Sequence, residues 1–189
     1  MKATRLLMDE HEYILRAIAV IDGMAARVAD GEMPDERDVE TVHKFLRFFG
    51  DGHHQEREES VLFPALLKAS HAEEYACLCQ ITFEHNQQRS LLDGMEDALK
   101  THKERDFVYY AKRLGELVRA HIKSEEEQVF KRADAILSAE EDERLAQELA
   151  AYDSPYQAGR LGVLLQRLVA MEVKYVLPRT RVNQKAHCI

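Results

Sequence analysis

The sequence predicts an all-α protein, an up-down-up-down four-helix bundle with two additional C-terminal helices. Apolar residues recur at helical spacing in long segments, and no segment shows the alternation typical of β-strands. Glycine and proline are scarce, at 8 and 4 of 189 residues, which suits helices better than a turn-rich β fold. Apolar residues make up 46% of the chain, a share typical of globular proteins with a core.

The first helix is predicted from about residue 4 to residue 28, and Gly31 then begins a turn because glycine commonly ends helices. A second helical segment begins near Asp35, and we expect Gly50 and Gly52 to loosen it before it resumes. The apolar stripes of the two segments are Leu7, Ile14, Ile18, Ile21, Ala25, Val28, and Val39, Val42, Leu46, Phe49, Val61, Leu62, Ala65, Leu66.

The third and fourth helices follow with short connections. A Ser-x-x-Glu pattern at Ser70 and Glu73 has the form of a capping box, and the third helix then runs to about Lys100. After a short polar turn, the fourth helix begins near Asp106. Because helices joined by short loops pack as antiparallel neighbours, these four form the predicted bundle.

Two further helices are predicted in the C-terminal part. Ser138 and Glu141 form a second Ser-x-x-Glu pattern, which opens a short acidic helix, and a last helix covers about residues 156–177. We therefore divide the chain into a bundle, residues 1–137, and a helical extension, residues 138–189. The last helix is apolar enough to pack on its own bundle or on a second subunit, so a homodimer is one expectation.

The charge and the cysteine content limit the classes of partner and the cellular compartment that we expect. The formal charge of −8, without a basic run, argues against nucleic acid or an anionic membrane surface as a partner. The first residues lack the apolar core of a signal peptide, and no apolar run approaches about 20 residues. Cys77, Cys79 and Cys188 are badly placed for a disulfide framework, so we expect a cytoplasmic protein.

Histidine is unusually frequent, with 9 residues, and several lie on the apolar faces of the predicted helices. Each of the four bundle helices carries one such imidazole, and two of the helices add a carboxylate one turn later. These six residues are His11, His54, Glu58, His85, His121 and Glu125. Buried carboxylates without partners are costly, so the six together predict a bound cation, most simply a metal.

The six residues belong to a motif that occurs twice. Each half contains a Glu-His pair and then His-x-x-x-Glu-Glu before apolar residues and a phenylalanine. The motif residues are Glu10-His11, His54-x-x-x-Glu58-Glu59 and Phe63 in the first half, and Glu84-His85, His121-x-x-x-Glu125-Glu126 and Phe130 in the second. Four glutamates beside the candidate ligands, Glu10, Glu59, Glu84 and Glu126, either accept hydrogen bonds from the ligand histidines, act as alternative ligands, or are solvated surface groups.

Over about residues 4–137, this ordered set resembles the hemerythrin-like proteins that carry the HHE cation-binding domain. The resemblance implies a four-helix bundle around a non-haem di-iron centre. It also implies a function in binding dioxygen, in sensing oxygen or iron, in handling peroxide or nitric oxide, or in repairing iron–sulfur clusters. One departure separates the chain from the oxygen-carrying hemerythrins, which have two histidines one turn apart on the third helix. Here Gln88 and Arg89 follow His85 at those distances, so the chain resembles the bacterial type with four histidines and two glutamates.

The resemblance implies two iron ions per chain, each bound by two imidazoles. Glu58 and Glu125 would bridge the ions, together with a solvent-derived oxo or hydroxo group. Manganese and zinc remain alternatives, because histidine and carboxylate suit all three metals. Small ligands such as dioxygen, peroxide or nitric oxide are the expected partners, in a stress response or in iron handling. A non-enzymatic oxygen or iron sensor, an iron-storage or iron-binding module, and a purely structural polar core are alternatives, and no catalytic residue is identified.

The other five histidines are not predicted to bind metal. His53 adjoins a candidate ligand but lies off its helical face, so it is expected beside the site or in solvent. His43 is expected at the edge of the core, His71 and His102 in turns, and His187 in the C-terminal tail.

Overall fold

The computed structural model describes residues 2–70, 74–152 and 160–177, and the described residues contain helices and no strand. The all-α class is confirmed. None of the described helices is long and apolar enough to cross a membrane. The α-helices are α1 (Lys2–Ala29), α2 (Glu36–Phe45), α3 (Phe63–Ala69), α4 (Tyr75–Lys100), α5 (Glu104–Ser124), α6 (Lys131–Ile136), α7 (Ala139–Ala151) and α8 (Arg160–Tyr175).

Three π-helical segments lie between consecutive α-helices and keep them continuous. The bundle therefore has four helical rods, which are α1, α2–α3, α4 and α5–α6. Leu46–Gln55 and Glu58–Leu62 join α2 to α3, and Glu125–Phe130 joins α5 to α6. Gly50 and Gly52 lie inside the first segment, so they coincide with a changed hydrogen-bond pattern and not with a loosened helix. A π turn holds one more residue than an α turn, and such turns are frequent at functional sites. Two of the three segments begin at a candidate ligand, Glu58 or Glu125.

The four rods alternate in direction, as the packing of two apolar clusters shows. The Leu7 cluster includes Leu7, Leu62, Leu78, Ile81 and Val129. The Leu92 cluster includes Ile14, Leu46, Leu92, Leu114 and Val118. Along the chain, α1 and α4 pass from the Leu7 cluster to the Leu92 cluster, while the α2–α3 and α5–α6 rods pass in the opposite sense. The up-down-up-down bundle is therefore the observed topology, and its core is divided into two apolar parts.

Helix α7 packs beside the beginning of α1. The predicted capping box is present, because the Ser138 hydroxyl accepts from the Glu141 backbone and the Glu141 carboxylate accepts from the Ser138 backbone. The buried Asp142 carboxylate accepts the backbone N–H groups of Lys2 and Ala3, at 3.0–3.1 Å. These donors belong to the first turn of α1 and have no partner within the helix. Helix α7 therefore caps α1 from outside.

Helix α8 packs on α1 and α2 of its own chain. The Glu172 carboxylate accepts two hydrogen bonds of 2.7 Å from Arg16, and the Tyr175 hydroxyl donates to Asp38 at 2.6 Å. Gly23 permits this contact, since a Cβ atom there would clash with the backbone carbonyl of Tyr175. Of the two predicted docking modes for this helix, the structure contains the one on its own bundle.

Some predicted helix ends fall outside the described residues. Ser70 ends α3, and α4 begins at Tyr75. Glu73 of the predicted capping box and the predicted start of the last helix near residue 156 both lie outside the described ranges.

Candidate metal centre

The six predicted ligands lie together in a polar layer between the two apolar clusters. Each is buried, with at most 3% of its surface exposed. Their potential ligand atoms fall into two groups within 4.8 Å of one another, and both groups contain Glu125. The first group is His11, His54, Glu58 and Glu125, and the second is His85, His121 and Glu125.

The Nε2 atoms of the imidazoles face the two central carboxylates. His54 Nε2 lies 3.1 Å from Glu58 Oε1, and His11 Nε2 lies 3.3 Å from Glu125 Oε2. The other oxygen of Glu58 lies 3.6 Å from His85 Nε2 in the second group. Each central carboxylate therefore contacts imidazoles of both groups, which is the arrangement expected of a bridging ligand.

The two groups are related by a local two-fold symmetry. His11 and His54 pack edge to face with ring centroids 4.7 Å apart and planes at 68°. His85 and His121 repeat this geometry at 4.8 Å and 66°. The Nε2 atoms of the second pair are 3.2 Å apart, so both face the same small volume.

The phenylalanine of each motif covers an imidazole of the other half. Phe130 stacks on His11 with ring centroids 5.6 Å apart, and Phe63 stacks on His85 at 6.4 Å. Both rings belong to the Leu7 cluster, which closes the polar layer on that side with apolar surface. Each copy of the motif thus supplies both candidate ligands and an apolar ring that covers a candidate ligand.

All four glutamates beside the ligands accept hydrogen bonds from ligand histidines. Glu10 accepts from His54 Nδ1 at 2.9 Å, and Glu84 accepts from His121 Nδ1 at 2.9 Å. In both cases the glutamate and the histidine belong to the same half of the motif.

The other two glutamates connect the halves. Glu59 accepts from His85 Nδ1 at 2.7 Å, and Glu126 accepts from His11 Nδ1 at 2.8 Å. A proton held on Nδ1 leaves the lone pair on Nε2, which is the form that binds a metal. The four outer carboxylates therefore orient all four imidazoles toward the centre, and the surface alternative does not apply to them.

A buried cationic network adjoins the first half only. Arg57 donates to Glu10 at 2.8 Å, and the same Glu10 oxygen lies 3.0 Å from His53 Nε2. Burial opposes ionisation of Glu10, but hydrogen bonds with His53 and His54 and the charge of Arg57 hold its pKa well below the usual range. The sequence did not single out Arg57, because arginines are mostly exposed and its spacing does not mark this one as buried.

The pKa values of the centre show strong charge coupling without a metal. Burial disfavours the charged form of His54, yet the charge of Glu58 and the hydrogen bond to Glu10 raise its pKa to about 10. Burial also opposes ionisation of Glu125, but the close approach of His11 and the charges of His121 and His85 lower its pKa to about 2. The raised pKa keeps a proton on His54 in the metal-free chain, and metal binding there would release it.

The buried polar atoms of the centre fit a cation. Both oxygens of Glu58, both oxygens of Glu125 and the Nε2 atom of His11 are buried without a hydrogen-bond partner. Buried polar groups are normally hydrogen-bonded, because leaving one unpaired costs about 1–3 kcal/mol. Cations between the two carboxylates would satisfy these atoms together, so the residues are able to bind metal.

The remaining described histidines lie apart from the centre. His43 Nε2 lies 3.6 Å from Asp93 and 3.7 Å from Glu96, at the edge of the core as expected. His102 occupies the turn before α5 with a positive φ of 54°. His71 and His187 lie outside the described residues.

A four-helix bundle with histidines and carboxylates converging in its core defines a class of metal-binding helical proteins. The family model of the hemerythrin HHE cation-binding domain matches residues 2–133, which is more than half of the chain. The chain therefore belongs to the hemerythrin HHE family. No curated protein and no solved structure gives a significant match.

Proposed function

We propose that this chain is a non-haem di-iron protein that binds or processes a small oxidant or diatomic ligand. Dioxygen, peroxide and nitric oxide are the candidate ligands, in oxidative or nitrosative stress or in iron handling. The observation that carries the proposal is the pair of buried carboxylates, Glu58 and Glu125, whose oxygens face imidazoles of both groups without a hydrogen-bond partner.

In this proposal, His11 and His54 would hold one metal, His85 and His121 would hold the other, and the two central carboxylates would be shared between them. Iron is favoured over zinc because six-coordinate metals would keep positions open beyond the two nitrogen and two carboxylate ligands that the chain supplies to each. Two divalent ions carry more charge than two carboxylates neutralise, so the centre would attract small anions and polarisable ligands. Bound iron would supply reversible one-electron chemistry at those open positions.

The contributions of the chain itself follow from the geometry. Outer carboxylates keep the imidazoles in the metal-binding tautomer, and stacked phenylalanines exclude water from one side of the layer. Exclusion of water strengthens the electrostatic interactions within the centre. These features favour a site that binds its metals firmly.

The test is metal analysis of protein expressed and purified without oxygen, combined with optical spectra before and after dioxygen, peroxide and nitric oxide. We expect two iron ions per chain and spectral changes with at least one of the three ligands. His54→Gln and Glu125→Gln should reduce the iron content and alter the spectra, while His43→Gln, at the core edge, should do neither. Less than one iron per loaded chain, with unaltered spectra in both site variants, would refute the proposal.

The exposed face of α8 supports a second candidate, a sensor whose output is a contact between two copies of the chain. Val169, Val173, Val176 and Leu177 lie on this part of the chain with 44–60% of their surface exposed. An iron-dependent or oxygen-dependent change in oligomeric state, measured by light scattering, would favour the sensor. Identical mass with and without metal would leave binding or processing of the ligand as the function.

A further inference from the structure

A cavity of about 40 Å³ lies beside the polar layer, on the side opposite the stacked phenylalanines. Each of the four rods contributes one of these lining residues: Ile14, Gln55, Gln88 and Val118. Gln55 directly follows His54, and the other three lie one helical turn from the remaining ligand histidines. A turn advances about 5 Å along a helix axis, so the cavity occupies the layer next to the centre.

The cavity contains a pair of buried amides. Gln55 Nε2 donates to Gln88 Oε1 at 2.9 Å, and both side chains are more than nine-tenths buried. The remaining amide groups, Gln55 Oε1 and Gln88 Nε2, are buried without a hydrogen-bond partner. The pair therefore offers one free acceptor and one free donor. Exchanging oxygen and nitrogen on both amides leaves the same two free groups, so this property does not depend on the amide orientation.

The bundle does not require these amides, as the equivalent position in the other half of the motif shows for each of them. The residue that follows His121 is Ile122, and the residue three positions after His11 is Ile14. Both isoleucines are buried at the positions that correspond to Gln55 and Gln88. Two amides with unpaired groups replace two apolar side chains on one side of the centre only, at a cost in stability.

The cavity adjoins an open groove on the outside of the bundle. Its outer wall includes Arg47, Asp51 and Arg89, which also line an open groove on the outside. Asp51 pairs with Arg89 at 2.6 Å and with Arg47 at 3.3 Å, and these side chains are about a quarter exposed. Movement of these charged side chains would connect the groove to the amides.

We propose that Gln55 and Gln88 form a binding subsite for hydrogen peroxide beside the metal centre. Peroxide donates and accepts hydrogen bonds, so it pairs with the free carbonyl of one amide and the free N–H of the other. Dioxygen and nitric oxide have no proton to donate and leave the carbonyl of Gln55 unpaired. A single buried water needs about 10–15 Å³, so the cavity has room for a molecule with two oxygens. This inference rests on the proposed metal centre and names its ligand class.

The first test is structural and requires no turnover. Crystals of the protein loaded with redox-inactive zinc are soaked in hydrogen peroxide. We expect elongated two-oxygen density within hydrogen-bond distance of Gln55 Oε1 and Gln88 Nε2, and we expect none in the double variant Gln55→Met/Gln88→Met. Density for a single water in the soaked crystals, or unchanged density in the double variant, would overturn the subsite. Replacing both partners of a buried hydrogen bond with apolar groups of similar shape is nearly neutral, so the variant should fold.

The second test compares ligands with iron-loaded protein. Stopped-flow absorbance follows the oxidation of two ferrous ions by one peroxide, which takes up two electrons and two protons to give two waters. The double variant should slow this reaction about tenfold, as expected for the loss of two neutral hydrogen bonds. Reactions with dioxygen and nitric oxide should keep their wild-type rates, and Ile122→Met should leave all three unchanged as the matched control. Equal slowing with every ligand, or with none, would overturn the subsite while the metal centre stands. A chain without bound metal would overturn both.

Discussion

The two halves of the motif present the same ligands in different surroundings. In both halves an imidazole from a Glu-His pair and an imidazole from His-x-x-x-Glu pack at the same angle and distance. In both halves the adjacent glutamates hold the Nδ1 atoms. The surroundings differ: the first half has His53 and Arg57 on Glu10, whereas the corresponding positions in the second half are Ala120 and Ser124.

Features that occur in both halves are those that we expect metal binding to require. Features that occur in one half are those that we expect to modify it. The ligand residues, their outer carboxylates and the stacked phenylalanines occur twice, so each of the two groups has the full set. The buried arginine and the amide pair occur once, so the two groups of candidate ligands differ in their electrostatic surroundings. In the metal-free chain, Glu10 keeps a cationic partner, Arg57, while the side-chain hydrogen bonds of Glu84 within the described residues are with His121 and the amide of Gln80.

Removal of the metal should have the largest effect among these predictions, because it affects the ligand residues of both halves. We expect exhaustive chelation to lower the free energy of unfolding by about 3–4 kcal/mol, the stabilisation by a ligand present at 100 to 1,000 times its dissociation constant. For a domain of this size, the melting temperature should fall by about 10 °C. Calorimetry before and after chelation measures both. Unaltered thermal stability would instead support the purely structural polar core.

Hydrogen exchange after chelation tests whether the two halves differ in local stability without metal. Because Arg57 still compensates Glu10 in the metal-free chain, we expect residues 53–62 to retain more protection than residues 121–130. Helix α8, which packs on α1 and α2, provides an internal reference. Equal loss of protection in the two segments would mean that the buried arginine does not distinguish the halves.

A smaller difference is expected between two equivalent substitutions, Glu10→Gln and Glu84→Gln. Removing the charge of Glu10 leaves Arg57, which is 5% exposed, without its carboxylate partner. Breaking a buried ion pair on one side costs about 3 kcal/mol, so metal-free Glu10→Gln should lose close to that amount. The side-chain hydrogen bonds of Glu84 in the described part of the chain involve His121 and Gln80 and no arginine, so Glu84→Gln should cost less than about 1 kcal/mol.

Urea unfolding of both variants without metal gives the two free energies. Metal titration of the same variants provides the control, since each has lost one outer carboxylate and should bind metal about 10–100-fold more weakly. Equal destabilisation of the two metal-free variants would contradict the asymmetry.

The sequence predicted the bundle and all six central residues because helical spacing determines which side chains share a face. His11 and His85 were recognisable as polar residues within apolar stripes, and the His-x-x-x-Glu spacing placed the carboxylates one turn away. Which outer glutamate holds which histidine was not predictable, since that depends on the rotation of neighbouring helices. Glu59 and Glu126 reach across to the other half for this reason.

The π-helical segments were also not predictable from spacing. Stripe analysis assumes a uniform helical period, and each π turn shifts the face of every residue that follows it. Gly50 and Gly52 marked the first such segment but suggested a weak point and not a changed hydrogen-bond pattern. The amide pair did leave a signal, because Gln88 interrupts an apolar stripe one turn after His85.

The smallest predicted effect concerns the N-termini of the two Glu-His helices. Asp142 of α7 caps α1, whereas the N-cap residue of α4, Glu74, makes no side-chain capping hydrogen bond. Asp142→Ala should therefore destabilise the protein by about 1 kcal/mol, the usual value of a cap, and leave metal content unchanged. Glu143→Ala is the matched control, because its exposed pair with Lys2 contributes little. If the two variants unfold at the same urea concentration, α7 does not stabilise the first half through this cap, and the helices that carry His11 and His85 are anchored alike.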